Sequence, residues 1–247
     1  MFMLEVRNLR KHFGNVKAVD DVNLGVRKGE LVSIIGPNGA GKTTLINLIS
    51  RWLLEDSGSI IFQGEDITHI KKSHDAVKKG IVRSFQLLNI FNDLTVFDNL
   101  CLALLSKHKK SFKIFSLLNR DAKIRDEATE IADKFNLSPY LDKPAKELPH
   151  GNKKLLDVAM AYALSPKLLL LDEPTSGVST SDKQPIMEII KSAVREMGIT
   201  TIMVEHDMDI VFSHSDRVVV MFEGKVLLEG TPEEVYKSAE ITKVIGG

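Results

Sequence analysis

Residues 36–43, GPNGAGKT, combine residue types and a spacing that could bind phosphate. They fit the pattern G-x-x-x-x-G-K-[ST] and lie directly between an apolar run, ELVSIIG, and residues with helical spacing, KTTLINLIS. Glycines let consecutive backbone N–H groups converge on phosphate oxygens, and a helix N-terminus adds the positive end of its dipole. Lys42 would neutralise the β- and γ-phosphates of a nucleotide, and the Thr43 hydroxyl would bind Mg²⁺. The alternative is a glycine-rich turn with a structural role only.

Two adjacent carboxylates follow a second apolar run, KLLLL. Asp172 would end a buried strand at the edge of the sheet where α/β proteins bind ligands. We expect Asp172 to hold Mg²⁺ through water, opposite Thr43, and Glu173 to polarise an attacking water. Two acids before Pro174 could instead cap a helix. The phosphate-loop pattern elsewhere in the chain favours the metal-and-base interpretation.

Two further polar residues follow predicted buried strands. Gln86 comes after GIVRSF, and His206 comes after ITTIMVE. The Gln86 amide oxygen could bind Mg²⁺ and the attacking water, and the His206 ring could donate to the γ-phosphate. Each could also be an ordinary polar residue at the end of a strand. Together with the loop and the two acids, they predict a site for nucleotide hydrolysis.

Composition narrows the class of protein. The chain has 247 residues, of which 43% are hydrophobic and 27% charged, as is usual for globular proteins. Lys and Arg together number 33, as do Asp and Glu, so no net charge attracts nucleic acid or anionic lipid. A single cysteine, Cys101, excludes an internal disulfide. The N-terminus has no signal-peptide pattern and no apolar run could cross a bilayer, which predicts a cytoplasmic protein that reaches a membrane only through a partner.

The spacing of apolar residues predicts an α/β fold. Period-2 alternation in MLEVRNL and DVNLGVRKG indicates half-buried strands, whereas ELVSIIG, GIVRSF, KLLLLDE, ITTIMVEH and DRVVVMF indicate buried strands of a parallel sheet. Residues 87–160 show helical spacing with no strand pattern, which predicts an inserted helical subdomain. The predicted organisation is an α/β core with an N-terminal β subdomain (1–86 and 161–230), the helical subdomain (87–160) and a C-terminal helical tail (231–247).

A basic stretch with interleaved aromatics, SKHKKSFKIFSLLNR, covers residues 106–120. It could contact RNA or lipid headgroups. It could equally be a solvated loop, which we favour because a short charge cluster rarely marks a site by itself.

Taken together, these motifs resemble those of the ATPase subunits of ATP-binding cassette (ABC) transporters over essentially the whole chain. GPNGAGKTT is similar to the Walker A loop, Gln86 to the Q-loop glutamine, LLLLDEP to the Walker B strand and His206 to the switch histidine. Phe13 falls where the family places an aromatic that stacks on adenine. The resemblance implies an α/β fold with a RecA-like parallel sheet core, an antiparallel β subdomain and an inserted helical subdomain. The residues expected to contact the nucleotide are Phe13, Gly36, Pro37, Asn38, Gly39, Ala40, Gly41, Lys42, Thr43 and Thr44.

The same resemblance implies cofactors, partners and a location. The cofactors are ATP and Mg²⁺, and the partners are a second cassette in a homo- or heterodimer and transmembrane permease subunits. An extracytoplasmic solute-binding protein would act indirectly, and no nucleic acid is expected. Through the permeases, the chain would lie on the inner face of the cell membrane. There its apolar side chains Leu87, Leu88, Ile90, Phe91 and Leu94 would receive a permease helix.

Residues 148–152, LPHGN, align with the family's signature loop, usually Leu-Ser-Gly-Gly-Gln, which contacts the γ-phosphate bound to the other subunit. Pro149 supplies neither the serine hydroxyl nor a backbone N–H, and His150 replaces the first glycine. Gly151 is retained. We expect His150 and Gly151 to contact ATP in trans, although the segment could also be a helix start, since proline is tolerated in the first turn.

Other segments, including GIVRSFQ and the tail ITKVIGG, are most similar to importer ATPases for branched-chain amino acids and, next, for urea or amides. Ser179 stands where the family's D-loop usually has aspartate. Two alternatives remain: a non-transport ABC protein that acts on nucleic acid or ribosomes, and a regulatory subunit that binds nucleotide but hydrolyses it poorly.

Overall fold

The computed structural model describes residues 1–84, 90–108 and 121–238. The chain divides into two compact units. The first comprises Met1–Arg83, Lys167–Glu173 and Gly198–Gly247, and the second comprises Ser84–Pro166 and Pro174–Met197. Gln86, Leu87 and Leu88, residues 109–120 of the basic stretch and residues 239–247 of the predicted tail lie outside the described residues.

The strands of the described part are β1 (Phe2–Phe13), β2 (Val16–Arg27), β3 (Leu31–Ile35), β4 (Ser57–Phe62), β5 (Glu65–Asp66), β6 (Ile81–Arg83), β7 (Leu168–Asp172), β8 (Thr200–Val204), β9 (Arg217–Phe222) and β10 (Lys225–Gly230). The α-helices are α1 (Lys42–Ile49), α2 (Ser73–Lys79), α3 (Val96–Lys107), α4 (Ala122–Lys134), α5 (His150–Ala163), α6 (Thr180–Glu196), α7 (Met208–His214) and α8 (Pro232–Lys237). Short 3₁₀ helices cover Ser138–Tyr140 and Ala145–Glu147. No helix in this part of the chain has the length and apolarity needed to span a bilayer.

The larger sheet of the first unit has the strand order β10-β9-β3-β8-β7-β6. Strands β3, β6, β7, β8 and β9 run parallel, and β10 pairs antiparallel with β9 at one edge. Every residue of β3, β7 and β8 is buried, as expected for parallel strands covered on both faces. The predicted parallel sheet is confirmed. Gly36, Glu173 and His206 lie just beyond the carboxyl ends of three of its strands.

The smaller sheet of the first unit is antiparallel, with the order β2-β1-β4-β5. Its strands β1 and β2 cover most of the two segments whose alternating pattern predicted half-buried strands. One cluster of buried apolar side chains includes residues of both sheets and of α1, such as Leu4, Leu45 and Leu170. Burial of one such side chain contributes about 1.5–3 kcal/mol. The cluster therefore fixes α1, and with it the glycine-rich loop that precedes this helix.

The described part of the second unit is mainly helical. The Thr95 side chain accepts a hydrogen bond from Asp98 N (3.0 Å) at the start of α3, and Asp121 caps α4 in the same way. The buried Asn99 side chain accepts from Phe91 N (2.8 Å) and donates to Phe91 O and Thr95 O. Asn99 thus fixes the backbone that leads into α3, since a buried amide is costly to leave without partners.

The unit boundaries differ from those predicted for residues 87–160 and 161–230. Helix α6 was expected in the α/β core, but it belongs to the second unit, where the Ile186 side chain packs on the backbone of Gly151. The chain returns to the first unit at Lys167–Glu173 and again at Gly198. Helices between the buried strands were expected, but α2 and α7 were not predicted individually. Each has seven residues, which is too short to show a clear helical period.

Candidate active site

The glycine-rich loop needs glycine at two positions for both conformation and space. Gly36 has φ 146° and Gly41 has φ 98°, values that side-chain-bearing residues rarely adopt. A Cβ atom at Gly36 would lie 2.1 Å from Met221 O, and one at Gly41 would lie 2.1 Å from Ala18 O. The loop backbone therefore sits directly against β9 and β2. From this fixed position it enters α1, with Thr43 in the first turn of the helix.

Lys42 is folded against the loop. Its Nζ donates to Gly36 O (2.6 Å) and Pro37 O (2.9 Å), and the residue is only 6% exposed. Burial lowers the pKa of the Lys42 ammonium below its usual range, and the Glu173 and Asp172 carboxylates act in the opposite direction. The structure thus places the predicted phosphate-binding lysine in the electrostatic field of both predicted acids.

Asp172 ends β7 and is 1% exposed. Its Oδ2 accepts from Arg83 Nη2 (2.6 Å), whereas no donor in the described part of the chain reaches its buried Oδ1. A carboxylate with one paired and one unpaired oxygen suits a divalent metal, whose bound water would supply the missing donor. Thr43, at the start of α1, is exposed and could offer its hydroxyl to the same ion.

No cluster of three or more His, Cys, Asp or Glu side chains suited to a metal occurs within the described residues. A Mg²⁺ site does not require such a cluster, because this ion usually takes one or two protein ligands and completes its shell with water and substrate phosphates. Gln86, the third predicted ligand, lies outside the described residues. Thr43 and Asp172 are therefore the described residues that fit this metal.

Glu173 and His206 form a hydrogen-bonded pair. The distance between Glu173 Oε1 and His206 Nε2 is 2.8 Å, and the Glu173 N–H donates to Val204 O of β8 (2.9 Å). Glu173 has φ 52°, a strained conformation for a residue with a side chain, and such conformations cluster at functional sites. The Glu173 carboxylate thereby reaches His206, which lies two residues beyond the end of β8. Both residues were predicted to belong to one site, but their direct contact was not predicted.

Phe13 lies at the end of β1 and is 50% exposed, with Lys11 Nζ 5.8 Å from the ring centroid. It pairs with Val16 across the β1–β2 turn. Val16 and Gly39 both line an open depression of about 670 Å³. The exposed ring is accessible for stacking, but Phe13 does not line this depression.

The segment aligned with the signature loop is a helix start. Helix α5 begins at His150, and Pro149 is its N-cap without a side-chain cap. The His150 Nε2 atom lies 3.2 Å from Ser176 O, and Lys154 Nζ donates to Ser176 Oγ (3.1 Å). A Cβ atom at Gly177 would lie 2.8 Å from His150 Nε2. The His150 ring therefore contacts the loop before α6 of its own chain, a contact that was not predicted from the sequence.

Local contacts also bear on the residue types at Gly151 and Ser179 of the second unit. A Cβ atom at Gly151 would lie 2.7 Å from Ile186 Cδ1, so close packing of α5 on α6 is one reason for glycine there. Ser179 is the N-cap residue of α6, and its Oγ donates to Asp182 Oδ2 (2.7 Å). The Ser179 side chain makes no cap hydrogen bond to the helix backbone, although serine and aspartate are both favoured N-cap residues. The departure from aspartate at position 179 is compatible with this helix start.

Comparison with known proteins agrees with this geometry. A family model described as ABC transporter matches residues 19–176. A probable branched-chain amino acid transport ATP-binding protein, LivG, from Archaeoglobus fulgidus is 36% identical, with 100% of this chain and 96% of that protein covered. The high-affinity branched-chain amino acid transport ATP-binding protein BraF from Pseudomonas aeruginosa is 34% identical, with 99% of this chain and 98% of that protein covered.

Similarity extends to solved structures. The ADP conformation of an ATP-binding cassette of an ABC transporter has a TM-score of 0.84 and 34% identity, with 100% of this chain and 98% of that chain covered. The family resemblance and the fold class predicted from sequence are both confirmed. Because the family model covers more than half of the chain and the relatives match along its length, this chain belongs to the ABC transporter family, as one of its ATP-binding ATPase subunits.

Proposed function

We propose that this chain hydrolyses ATP with Glu173 as the general base and His206 as its partner, and thereby powers an importer. The contact of 2.8 Å between these two side chains carries the proposal, because it orients a carboxylate beside the lysine of the phosphate loop. Lys42 and the loop N–H groups would bind the β- and γ-phosphates, and Phe13 would stack on adenine. Asn38, Gly39, Ala40 and Thr44 complete the proposed nucleotide contacts.

The chemistry assigned to each residue is a simple in-line hydrolysis. Glu173 would accept a proton from a water molecule whose oxygen attacks the γ-phosphorus, while the bond to the β–γ bridging oxygen breaks and ADP leaves. Charge that develops on the γ-phosphoryl oxygens would be stabilised by Lys42 and by a donor N–H of His206. Mg²⁺, held by Thr43 and Asp172 with Gln86 as a further proposed ligand, would neutralise phosphate charge.

A second cassette would complete the site. In this family the signature loop contacts the γ-phosphate of the partner subunit, and here Gly151 N–H, the start of α5 and the His150 ring would take that role. A helix N-terminus presents N–H groups to phosphate even where the usual serine is absent. A missing hydrogen bond to a charged group weakens such a contact by about 1.5–3 kcal/mol. The isolated chain should therefore dimerise weakly, with the permeases holding two copies together.

We expect the double variant Pro149→Ser, His150→Gly to raise basal ATPase activity about tenfold, because it restores one hydrogen bond to charged phosphate. Activity per chain, measured against chain concentration, should also saturate at lower concentration. Unchanged activity would mean that this segment is only a helix start.

Gly151→Ala should lower ATPase activity by blocking close approach to phosphate, but its Cβ would also press on Ile186 Cδ1. Ile186→Val removes that methyl group and is the matched control. If Gly151→Ala, Ile186→Val is fully active, packing alone explains the glycine; continued low activity supports contact with ATP in trans.

A permease would dock on the surface around Phe91 and Leu94. Their exposed fractions are 54% and 37%, and Asn99 anchors Phe91 through both backbone groups. Ile90, which was predicted on this surface, is instead buried at 8% exposure. Neighbouring exposed apolar side chains suit a protein partner.

Phe91→Asp and Leu94→Asp should therefore strongly reduce co-purification with the permeases, while the ATPase activity of the isolated chain is retained. Met197→Asp is the control, because Met197 is similarly exposed at 46% and belongs to the same unit. Equal recovery of permeases with all three variants would exclude this surface.

The transported solute is proposed to be a branched-chain amino acid or a related amide, delivered by an extracytoplasmic binding protein. The names of the relatives from A. fulgidus and P. aeruginosa support this class. The chain would then act in the cytoplasm, on the inner face of the membrane. The test is uptake of leucine, urea and sulfate into vesicles that contain the chain with its permeases, with ATP inside and the extracytoplasmic binding protein outside. Uptake of leucine or urea is expected, and uptake of sulfate alone would contradict the proposal.

A further inference from the structure

The Arg83 side chain connects three elements of the first unit. Arg83 ends β6, its side chain is 8% exposed, and Nη2 donates to Asp172 Oδ2 (2.6 Å) at the end of β7. Nη1 donates to Asn47 Oδ1 of α1. One guanidinium group thus ties the strand before Gln86, the strand that ends in Asp172 and the helix that begins at Lys42.

The contacts of Arg83 determine the orientation of the Asp172 carboxylate. A buried carboxylate needs a paired charge or several donors, and Arg83 supplies both charge and a donor to Oδ2 alone. The guanidinium plane is rigid, and its second amino group is held by Asn47. The Asp172 carboxylate therefore has a defined orientation, with Oδ1 unpaired among the described residues.

Through its contact with Asn47, Arg83 also restricts the position of α1. Asn47 follows Thr43 by four residues on this helix, and residues with that spacing share one helix face. A contact at Asn47 thus fixes the rotation of the face that bears the Thr43 hydroxyl. Arg83 therefore contacts Asp172, one proposed metal ligand, and Asn47, which lies one helical turn after Thr43, the other proposed ligand.

We propose that Arg83 is a positioning residue for the metal–nucleotide complex, which sets the Asp172 carboxylate and the Thr43 helix face at a fixed separation. The inference rests on the proposed Mg²⁺ role of Asp172 and Thr43. Residues that orient a metal ligand typically change metal affinity by about 10–100-fold when they are replaced. An ion pair with only a structural role would affect the stability of the fold but not the preference of the site for metal-bound nucleotide.

The experiment measures the affinity of the full-length chain for a non-hydrolysable ATP analogue, once with Mg²⁺ and once with EDTA. The ratio of the two dissociation constants isolates the contribution of the metal. For Arg83→Met we expect the Mg²⁺-dependent gain in affinity to fall by about 10–100-fold. Arg83→Lys keeps the charge but lacks the planar guanidinium. Its Mg²⁺-dependent gain in affinity should lie between those of the wild type and Arg83→Met. Asn47→Ala should show a smaller decrease in the same direction.

Arg217→Met is the matched control. Arg217 forms a comparable ion pair with Glu30 (Nε to Oε1, 2.7 Å) in the same unit, so this variant should melt at a lower temperature with an unchanged ratio. If Arg83→Met fails to fold, the ratio measured for Asn47→Ala tests the inference instead, because this variant keeps the ion pair between Arg83 and Asp172. If the wild-type chain binds the analogue equally well with Mg²⁺ and with EDTA, so that the ratio of its two dissociation constants is near one, both the proposed metal site and the inference are overturned. A Mg²⁺-dependent wild type with unchanged ratios in the Arg83→Lys and Asn47→Ala variants would overturn the inference alone.

Discussion

Glu173→Gln is expected to reduce ATP turnover by a factor of about 10² or more while ATP binding is kept, because the amide cannot accept a proton from the attacking water. The His206 ring can still contact the Gln side chain, so the local fold should persist. With hydrolysis blocked, ATP should hold two chains together, which light scattering would detect as a doubled mass.

Glu229→Gln provides the control for loss of a carboxylate. Glu229 lies on β10, is half-exposed and pairs with Arg217, so it should leave turnover unchanged. Near wild-type turnover of Glu173→Gln would remove Glu173 from the role of general base. A variant that neither turns over nor binds ATP would indicate a structural role for the Glu173–His206 pair.

Lys42→Ala is expected to lower the affinity for nucleotide, so that it affects ATP binding and not only the hydrolysis step. The Lys42 ammonium supplies charge at the loop, and without it the β- and γ-phosphates lose their cationic partner. A charge-assisted hydrogen bond contributes about 1.5–3 kcal/mol, so affinity should fall at least tenfold. Since a bound ligand stabilises the folded state, the nucleotide-induced rise in melting temperature should largely disappear.

Lys28→Ala is the control for the lysine substitution, because Lys28 is exposed on the same unit. It should show the wild-type shift in melting temperature. The two predictions separate binding from chemistry: Lys42→Ala should show little thermal shift, whereas Glu173→Gln should show the full shift. An equal thermal shift for Lys42→Ala and the wild type would exclude a dominant phosphate contact by this lysine.

The parallel sheet was predictable because fully buried strands leave a recognisable apolar run. The polar residues that follow such runs, Asp172, Glu173 and His206, could be grouped because carboxyl ends of parallel strands share one edge. The glycine-rich loop was predictable from its spacing alone. In each case a local pattern carries the structural information.

The contacts between side chains were less accessible to sequence reasoning. Arg83 lies in GIVRSF, where it interrupts an apolar strand, but its pairing with Asp172 and Asn47 depends on strand register and side-chain direction. Likewise, the proximity of His150 to Ser176 depends on how the start of α5 lies against the loop before α6. A buried charge in a strand is a signal that a partner exists, although it does not name that partner.

The most direct test of ATP hydrolysis at this site is phosphate release by the purified wild-type chain, measured over a range of ATP concentrations with Mg²⁺ and with EDTA. Glu173→Gln under the same conditions defines the background. We predict saturable release that requires Mg²⁺ and exceeds that background about 10²-fold or more. Release that does not saturate with ATP, or that is equal in the wild type and Glu173→Gln, would contradict hydrolysis by Glu173 at this loop.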